Sequence, residues 1–313
     1  MAIDRGAGNR FRVERPADVE AFMARAGDFI AAHEAEHCLL LGIAHNIRHG
    51  LMPLPEPPIF AVVADGGSDE VSGGDDAGDG RIDGDGDVRV VAAALRTPPY
   101  NLVLSLIDDL DAGAAVDALA DALVDEVLPG VSGRRDLAAR FAERWGGSAG
   151  RRARVQMAER IYRLSAVREP RPAPGRMRPA ERADRPLLIA WIEAFFQEAL
   201  GESTDPADTV DRWLAGEGRT LHVWEDGDVR VSLCGVGGET PNGIRVGPVY
   251  TPPEHRGHGY ASNLVAGVSR AQLDAGRRFV FLFTDLANPT SNRIYQDVGY
   301  EPVVDVDRLV FEG

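Results

Sequence analysis

Residues 244–261 read IRVGPVYTPPEHRGHGYA, and this stretch decides the fold. Its first part has the apolar, β-branched composition of a strand, which Gly247-Pro248 interrupts. Because proline has no N–H to donate to a sheet, a bulge or a loss of pairing is predicted there. The stretch ends in RGHGYA, residues 256–261, which opens a helix. Glycines let several backbone N–H groups converge and a helix N-terminus adds partial positive charge, so this turn is suited to a pyrophosphate.

The elements downstream keep a regular order. After the helix, residues 278–283 (RFVFLF) form a hydrophobic strand. Asn288 can then cap a helix that begins with Pro289 and ends before Gly299. The order is therefore a strand, a bulge, R-G-x-G-x-A, a helix, a strand, and a helix that carries N-x-x-S-x-x-x-Y.

This order resembles the GNAT superfamily of acyl-CoA-dependent N-acyltransferases. The family's cofactor signature, Q/R-x-x-G-x-G/A, is matched by Arg256, Gly259 and Ala261, and its Asn and Tyr on the later helix fall on Asn288 and Tyr295. The looser outline extends over residues 173–313. The resemblance implies a mixed α/β sheet that splays between its fourth and fifth strands, with acetyl-CoA as co-substrate and no metal.

The resemblance also implies a role for each matched position. The strand end would pair with the pantetheine arm as an added strand does, the turn amides would hold the pyrophosphate, and the later helix would contact the CoA arm. The implied acetyl-CoA-binding residues are Val249, Tyr250, Thr251, Arg256, Gly257, His258, Gly259, Tyr260, Ala261, Ser262, Asn288 and Ser291. The implied catalytic residue is Tyr295, because a phenol is protonated at neutral pH and can donate to the departing thiolate.

The reaction also needs a base to take the proton of the attacking amine, and the sequence does not name it. Four acids near the signature are candidates for that base: Glu225, Glu239, Glu254 and Asp285.

Composition limits the other classes of function. The formal charge of −15 argues against a nucleic-acid partner, and all 34 basic residues are arginine, which excludes chemistry that needs a lysine amine. The absence of a long apolar run and of a hydrophobic leader predicts a cytoplasmic protein without a membrane span. Two cysteines, Cys38 and Cys234, are too few for a disulfide framework.

The chain has a repeated outline of two α/β units, joined by a Pro- and Arg-rich linker around residues 169–186. We expect two GNAT-like lobes in tandem, residues 1–172 and 173–313. The first lobe lacks the glycine-rich turn, so it is expected to have lost CoA binding and to shape the acceptor site. An acidic, Gly-rich tract at 65–87 fails the calcium-loop pattern and is expected to be a loop.

A second motif, HEAEH at residues 33–37, matches the H-E-x-x-H helix of zinc proteases through His33, Glu34 and His37. We place it inside one long helix over residues 18–48, with both histidines away from the apolar face. The third ligand of the metzincin pattern is absent, because Ile43 stands at its position.

The predicted function is transfer of acetyl from acetyl-CoA to an amine of a small molecule or peptide, by direct attack in a ternary complex. A non-catalytic acyl-CoA-binding regulator is the alternative, and a zinc metallopeptidase ranks third. The sequence does not identify the acceptor, and it leaves a homodimer open.

Overall fold

A computed structural model describes residues 10–66, 89–106, 112–201 and 205–312. The acidic tract at 65–87 lies outside the described residues from position 67 onward. Residues 107–111, which make up most of the first-half segment that would correspond to the glycine-rich turn, also lie outside them. Among the described helices, none is long and apolar enough to cross a membrane.

The described chain forms one mixed α/β structure. Its strands are β1 (Phe11–Glu14), β2 (Ile59–Asp65), β3 (Val90–Arg96), β4 (Leu102–Leu104), β5 (Gly130–Arg134), β6 (Arg152–Leu164), β7 (Arg176–Pro179), β8 (Arg219–Asp226), β9 (Val229–Glu239), β10 (Gly243–Tyr250), β11 (Phe279–Asp285) and β12 (Glu301–Glu312). Its helices are α1 (Val19–Ala32), α2 (Cys38–Arg48), α3 (Ala112–Ala122), α4 (Arg135–Ala149), α5 (Arg185–Leu200), α6 (Ala207–Leu214), α7 (Tyr260–Asp274) and α8 (Pro289–Val298).

All twelve strands belong to one sheet, in the order β1-β2-β3-β4-β5-β12-β6-β11-β10-β9-β8-β7. The two halves exchange their last strands at its centre. The chain's final strand, β12, pairs with β5 of the first half, while β6, which closes the first half, pairs with β11 of the second. β6 and β12 also pair with each other along most of their length. The halves therefore share a continuous backbone hydrogen-bond network.

Helices cover both faces of this sheet. The core around α3 and α4 and the core around α7 and α8 lie on one face, and α1, α2, α5 and α6 pack on the other. Neighbouring residues of β6 show the alternation, because Tyr162 packs in the α7/α8 core and Ile161 packs toward α2. Within the described ranges, each half thus has two helices on each face.

The long N-terminal helix predicted over residues 18–48 is interrupted. α1 ends at Ala32, a turn follows over residues 33–37, and α2 begins at Cys38. The turn is held by buried His37, whose Nδ1 lies 2.9 Å from the Ile30 carbonyl and whose Nε2 accepts from the Leu106 N–H at 2.8 Å. HEAEH is therefore a helix-to-helix turn, and both nitrogens of its second histidine are occupied by backbone groups.

The same turn joins the two halves of the chain. Glu34 accepts hydrogen bonds from the Thr240 hydroxyl and from the backbone and side-chain amides of Asn242, in the turn between β9 and β10. Beside it, α2 approaches β9 so closely that a Cβ on Gly42 would lie 3.0 Å from backbone atoms of Gly238. The geometry assigns Glu34 to the junction of the halves, where it satisfies three donors.

The burial of His37 predicts a pH-dependent stability. Burial lowers the pKa of its imidazole from 6.5 to about 4, so the folded state favours the neutral ring. The stabilisation is complete above the unfolded pKa and is lost as the pH falls from about 6.5 toward 4. At pH 5 the loss attributable to this residue should be about 2 kcal/mol.

Urea unfolding at pH 7.5 and pH 5 checks this prediction. The wild-type chain should lose more free energy of unfolding over that interval than His37→Asn, which cannot be protonated there. Equal losses in the two proteins would assign the acid sensitivity to other groups.

Candidate active site

The sheet opens between β10 and β11. Their parallel pairing is limited to Gly243–Arg245 against Phe279–Phe281, and residues 246–250 of β10 continue without β11. On its other edge, β10 stays paired with β9, with a register shift between Val246 and Val249. The bulge predicted at Gly247-Pro248 is confirmed, and beyond it Val249, Tyr250 and Thr251 follow one another along the open edge.

The glycine-rich turn follows this edge directly. Gly257 and Gly259 both have positive φ, 81° and 82°, and Gly259 is the N-cap of α7. The first N–H groups of a helix have no partner within it, and within the described chain no loop group bonds to the amides of residues 257–262. The turn therefore presents unpaired amides at the positive end of a helix dipole, which is the environment that an anion needs.

Two side chains of this turn are held by the protein itself. The Arg256 guanidinium donates to the Thr251 carbonyl at 2.9 Å and to Glu198 at 2.7 Å, and Glu198 also accepts from the Tyr250 hydroxyl. Tyr260 donates to Asp226 at 2.7 Å, and its ring stacks on His258. In this arrangement, Arg256 anchors the turn to the end of β10, and the backbone of the turn is what faces solvent.

On the later helix, Asn288 caps α8 by accepting from the Ser291 N–H at 3.0 Å. Tyr295 lies two turns further on and is 8% exposed, in the core between α7 and the sheet. Its ring is 6.0 Å from that of Tyr300. Burial raises the pKa of the Tyr295 phenol, so it stays protonated throughout the neutral range.

A cavity of about 380 Å³ lies on the opposite face of the sheet, between the two halves. The bulge residues Val246, Gly247 and Pro248 form part of its wall. α5 and α6 contribute an aromatic side, formed by Phe195, Phe196 and Trp213. The opening between β10 and β11 therefore has the glycine-rich turn at its outer end and this cavity beside the bulge.

Three acids line this cavity, Glu36, Glu159 and Asp307, and none was among the bases considered from the sequence. Glu159 lies on β6, opposite Asp285 of β11 and Val306 of β12, and its side chain lines the cavity. Burial raises the pKa of its carboxyl, and the nearby Asp285 carboxylate raises it further, against the opposing charges of Arg308 and Arg245. No ion pair holds Glu159 among the described residues.

The four acids considered from the sequence lie elsewhere, and none lines the cavity. Glu225 pairs with Arg178 and Glu239 with Arg277. Glu254 is exposed in a short 3₁₀ turn, and Asp285 accepts from the Ala287 N–H beyond the end of β11. Glu159 reaches the same cavity as the bulge because β6, a first-half strand, pairs with β11 of the second half. No local sequence motif marks Glu159.

HEAEH also contributes to this cavity, through a residue outside the zinc pattern. Glu36 and, one turn later, Leu39 line it. His33 lies 5.9 Å from His37 between ring centroids, but His37 is occupied by its two backbone partners. No cluster of metal-ligating side chains is found in the ranges that the structure describes.

The comparisons with known proteins agree with this geometry. Residues 186–300 match the model of the Acetyltransferase (GNAT) family. No curated protein matches the sequence.

Among solved structures, the chain is similar to a Drosophila protein at 12% identity, with a TM-score of 0.63 and coverage of 97% of this chain and 99% of the other. It is similar to a tandem GNAT protein from the clavulanic acid biosynthesis pathway at 14% identity, with a TM-score of 0.55 and coverage of 96% and 98%. A GCN5-related N-acetyltransferase from Sphaerobacter thermophilus is 17% identical, with a TM-score of 0.51 and coverage of 97% and 96%.

These similarities extend over both halves, and the predicted mixed α/β fold with two GNAT-like lobes is confirmed. Residues 186–300 form an acetyltransferase domain of the GNAT family, and the chain is an acyltransferase with the tandem GNAT fold.

Proposed function

We propose that the protein is an N-acetyltransferase that uses acetyl-CoA as donor and a small-molecule amine as acceptor. The observation that carries the proposal is that one segment, residues 246–248, is both the place where β10 leaves β11 and a wall of the cavity. A thioester that enters along the open edge of β10 would reach the cavity at this point. The amides of residues 257–262 would bind the pyrophosphate at the outer end.

Glu159 is proposed as the general base. The neutral amine attacks the thioester carbonyl, its nitrogen bonds to the acetyl carbon, and its surplus proton passes to the Glu159 carboxylate, directly or through one water. A carboxylate whose pKa is raised by burial is a better proton acceptor near neutral pH than an exposed one.

Tyr295 is proposed as the general acid. As the carbon–sulfur bond breaks, its phenol gives a proton to the CoA thiolate. Tyr295 packs on the α7/α8 face and Glu159 lines the cavity on the other face, so the acid and the base approach the thioester from opposite sides of the sheet. This separation suits a reaction in which the amine enters from one side and the thiolate leaves toward the other.

Replacing Tyr295 by phenylalanine should lower kcat by on the order of 100-fold while the Kd for acetyl-CoA changes little. The loss is at the lower end for a general acid, because a thiolate is a fairly stable leaving group. Steady-state kinetics and calorimetry measure the two quantities. Tyr300→Phe is the matched control, since Tyr300 is buried in the same core but donates to or accepts from Ser269. A variant with weaker acetyl-CoA binding and unchanged kcat would contradict the role.

The proposal gives residues 1–172 and 173–313 different roles. The second half would bind the donor, and the first would supply Glu159, Glu36 and the far wall of the cavity. One chain provides both halves of this site, so the mechanism operates without a partner subunit, and a homodimer stays open. A cytoplasmic location is proposed because both cysteines are buried free thiols.

A further inference from the structure

The acceptor cavity contains more than a base and an apolar wall. Two guanidinium groups, those of Arg219 and Arg245, line it close to the bulge. Arg219 donates to the Gly247 carbonyl and stacks on Trp213, with its charged carbon 5.3 Å from the ring centre. It therefore has protein partners and supports the bulge.

Arg245 differs, because its Nε is buried and has no hydrogen-bond partner. Its guanidinium lies 5.9 Å from the ring centre of Phe283, and within the described chain no carboxylate comes within ion-pair distance of it. Burial lowers the pKa of both guanidinium groups, that of Arg219 to about 9. Arg245 is partly buried, and a cation without an ion pair is costly there, so this position is suited to a ligand that brings the missing negative charge.

Among the described residues, no charge of the cavity forms an ion pair with Arg245, and the Glu159 carboxylate acts on it only from beyond ion-pair distance. Asp307 is already paired with Arg135, and Arg134 is paired with Asp136. Arg308 adds a further cation to the lining, and Glu36 and Glu159 are the other two acids.

We propose, on the basis of the proposed function, that the acceptor is an amino acid with an apolar side chain. Its carboxylate would bind the Arg245 guanidinium, its side chain would lie against Phe195, Phe196 and Trp213, and its amine would face the bulge. A cavity of about 380 Å³ holds a single small molecule of this kind. The local charge of the cavity favours an acceptor with a carboxylate.

Acetylation of phenylalanine, phenylalaninamide and phenethylamine tests the role of the carboxylate. The wild-type protein should prefer phenylalanine over the two analogues that lack the carboxylate by on the order of 10- to 100-fold in kcat/KM. Arg245→Met should remove this preference while acetyl-CoA still binds. Arg278→Met is the matched control, because Arg278 also stacks on a phenylalanine ring but is exposed and outside the cavity.

Calorimetry with the reaction product separates this inference from the proposed function. N-acetylphenylalanine should bind the wild-type protein at least 10-fold more tightly than its amide, and this requires no catalysis. Acetyl transfer with equal use of phenylalanine and phenethylamine would overturn the inference and leave the proposed function standing. Selective binding of the carboxylate product without any acetyl-CoA binding would overturn the proposed function alone. Loss of both amino acid and amide turnover to the same extent in Arg245→Met would also overturn the inference.

Discussion

Replacing Gly259 by aspartate is expected to abolish acetyl-CoA binding. Gly259 has a φ of 82° at the N-cap of α7, a conformation that side-chain-bearing residues rarely adopt, and a Cβ there would make only ordinary contacts, with Asn263, Ala173 and the Arg171 carbonyl. The new carboxylate would lie beside the amides that the pyrophosphate needs and would repel it. By calorimetry, the wild-type chain should bind one acetyl-CoA and the variant none, a loss of at least about 100-fold in affinity.

The control for backbone strain is Gly276→Asp. Gly276 follows the other end of α7, has a φ of 96° and has open space around it, so it has a similar conformational cost without an anion nearby. It should keep full affinity. If Gly259→Asp still binds acetyl-CoA, the turn is not the pyrophosphate site. A second acetyl-CoA per wild-type chain would show that the first half also binds the cofactor.

Replacing Glu159 by glutamine is expected to lower kcat by on the order of 1000-fold at neutral pH. Glutamine keeps the shape of the side chain and removes only its ability to accept a proton. The pH dependence gives a second readout. In the wild-type protein kcat should fall with decreasing pH as the Glu159 carboxylate is protonated, at a pKa above that of an ordinary glutamate. The residual activity of the variant should not show this fall of kcat with decreasing pH.

Glu254→Gln is the matched control, since Glu254 is an exposed acid near the signature and outside the cavity. It should leave both kcat and the pH profile unchanged. The assignment of the base would be wrong if Glu159→Gln showed the same decrease of kcat at low pH as the wild-type protein, whatever the size of its kcat.

The sequence is most informative where the relevant residues are close together along the chain. The bulge at Gly247-Pro248, the glycine turn and the cap at Asn288 are each local consequences of residue type, because missing donors, positive φ and side-chain caps act over a few residues. Their order carries the resemblance to the GNAT family, and that resemblance implies the open sheet.

The acceptor side of the site depends on contacts that are distant along the chain. Glu159 is more than 80 residues from the bulge, and it lines the cavity because β6 is inserted between β11 and β12. Its strand carries no motif, and nothing in the pattern of alternation indicates that the two halves exchange their last strands. The local periodicity predicts one helix where the structure has α1 and α2. The turn between them, at residues 33–37, is held by a hydrogen bond from the distant Leu106 N–H to His37, which the periodicity does not indicate.

The central claim is tested most directly by free-thiol release from acetyl-CoA with a panel of amines, with mass spectrometry of the products. The account predicts thiol release that depends on both acetyl-CoA and an amine, with one acetyl group found on the amine nitrogen for each thiol released. If acetyl-CoA neither binds nor is consumed with any amine of the panel, the assignment of this chain as an N-acetyltransferase is contradicted.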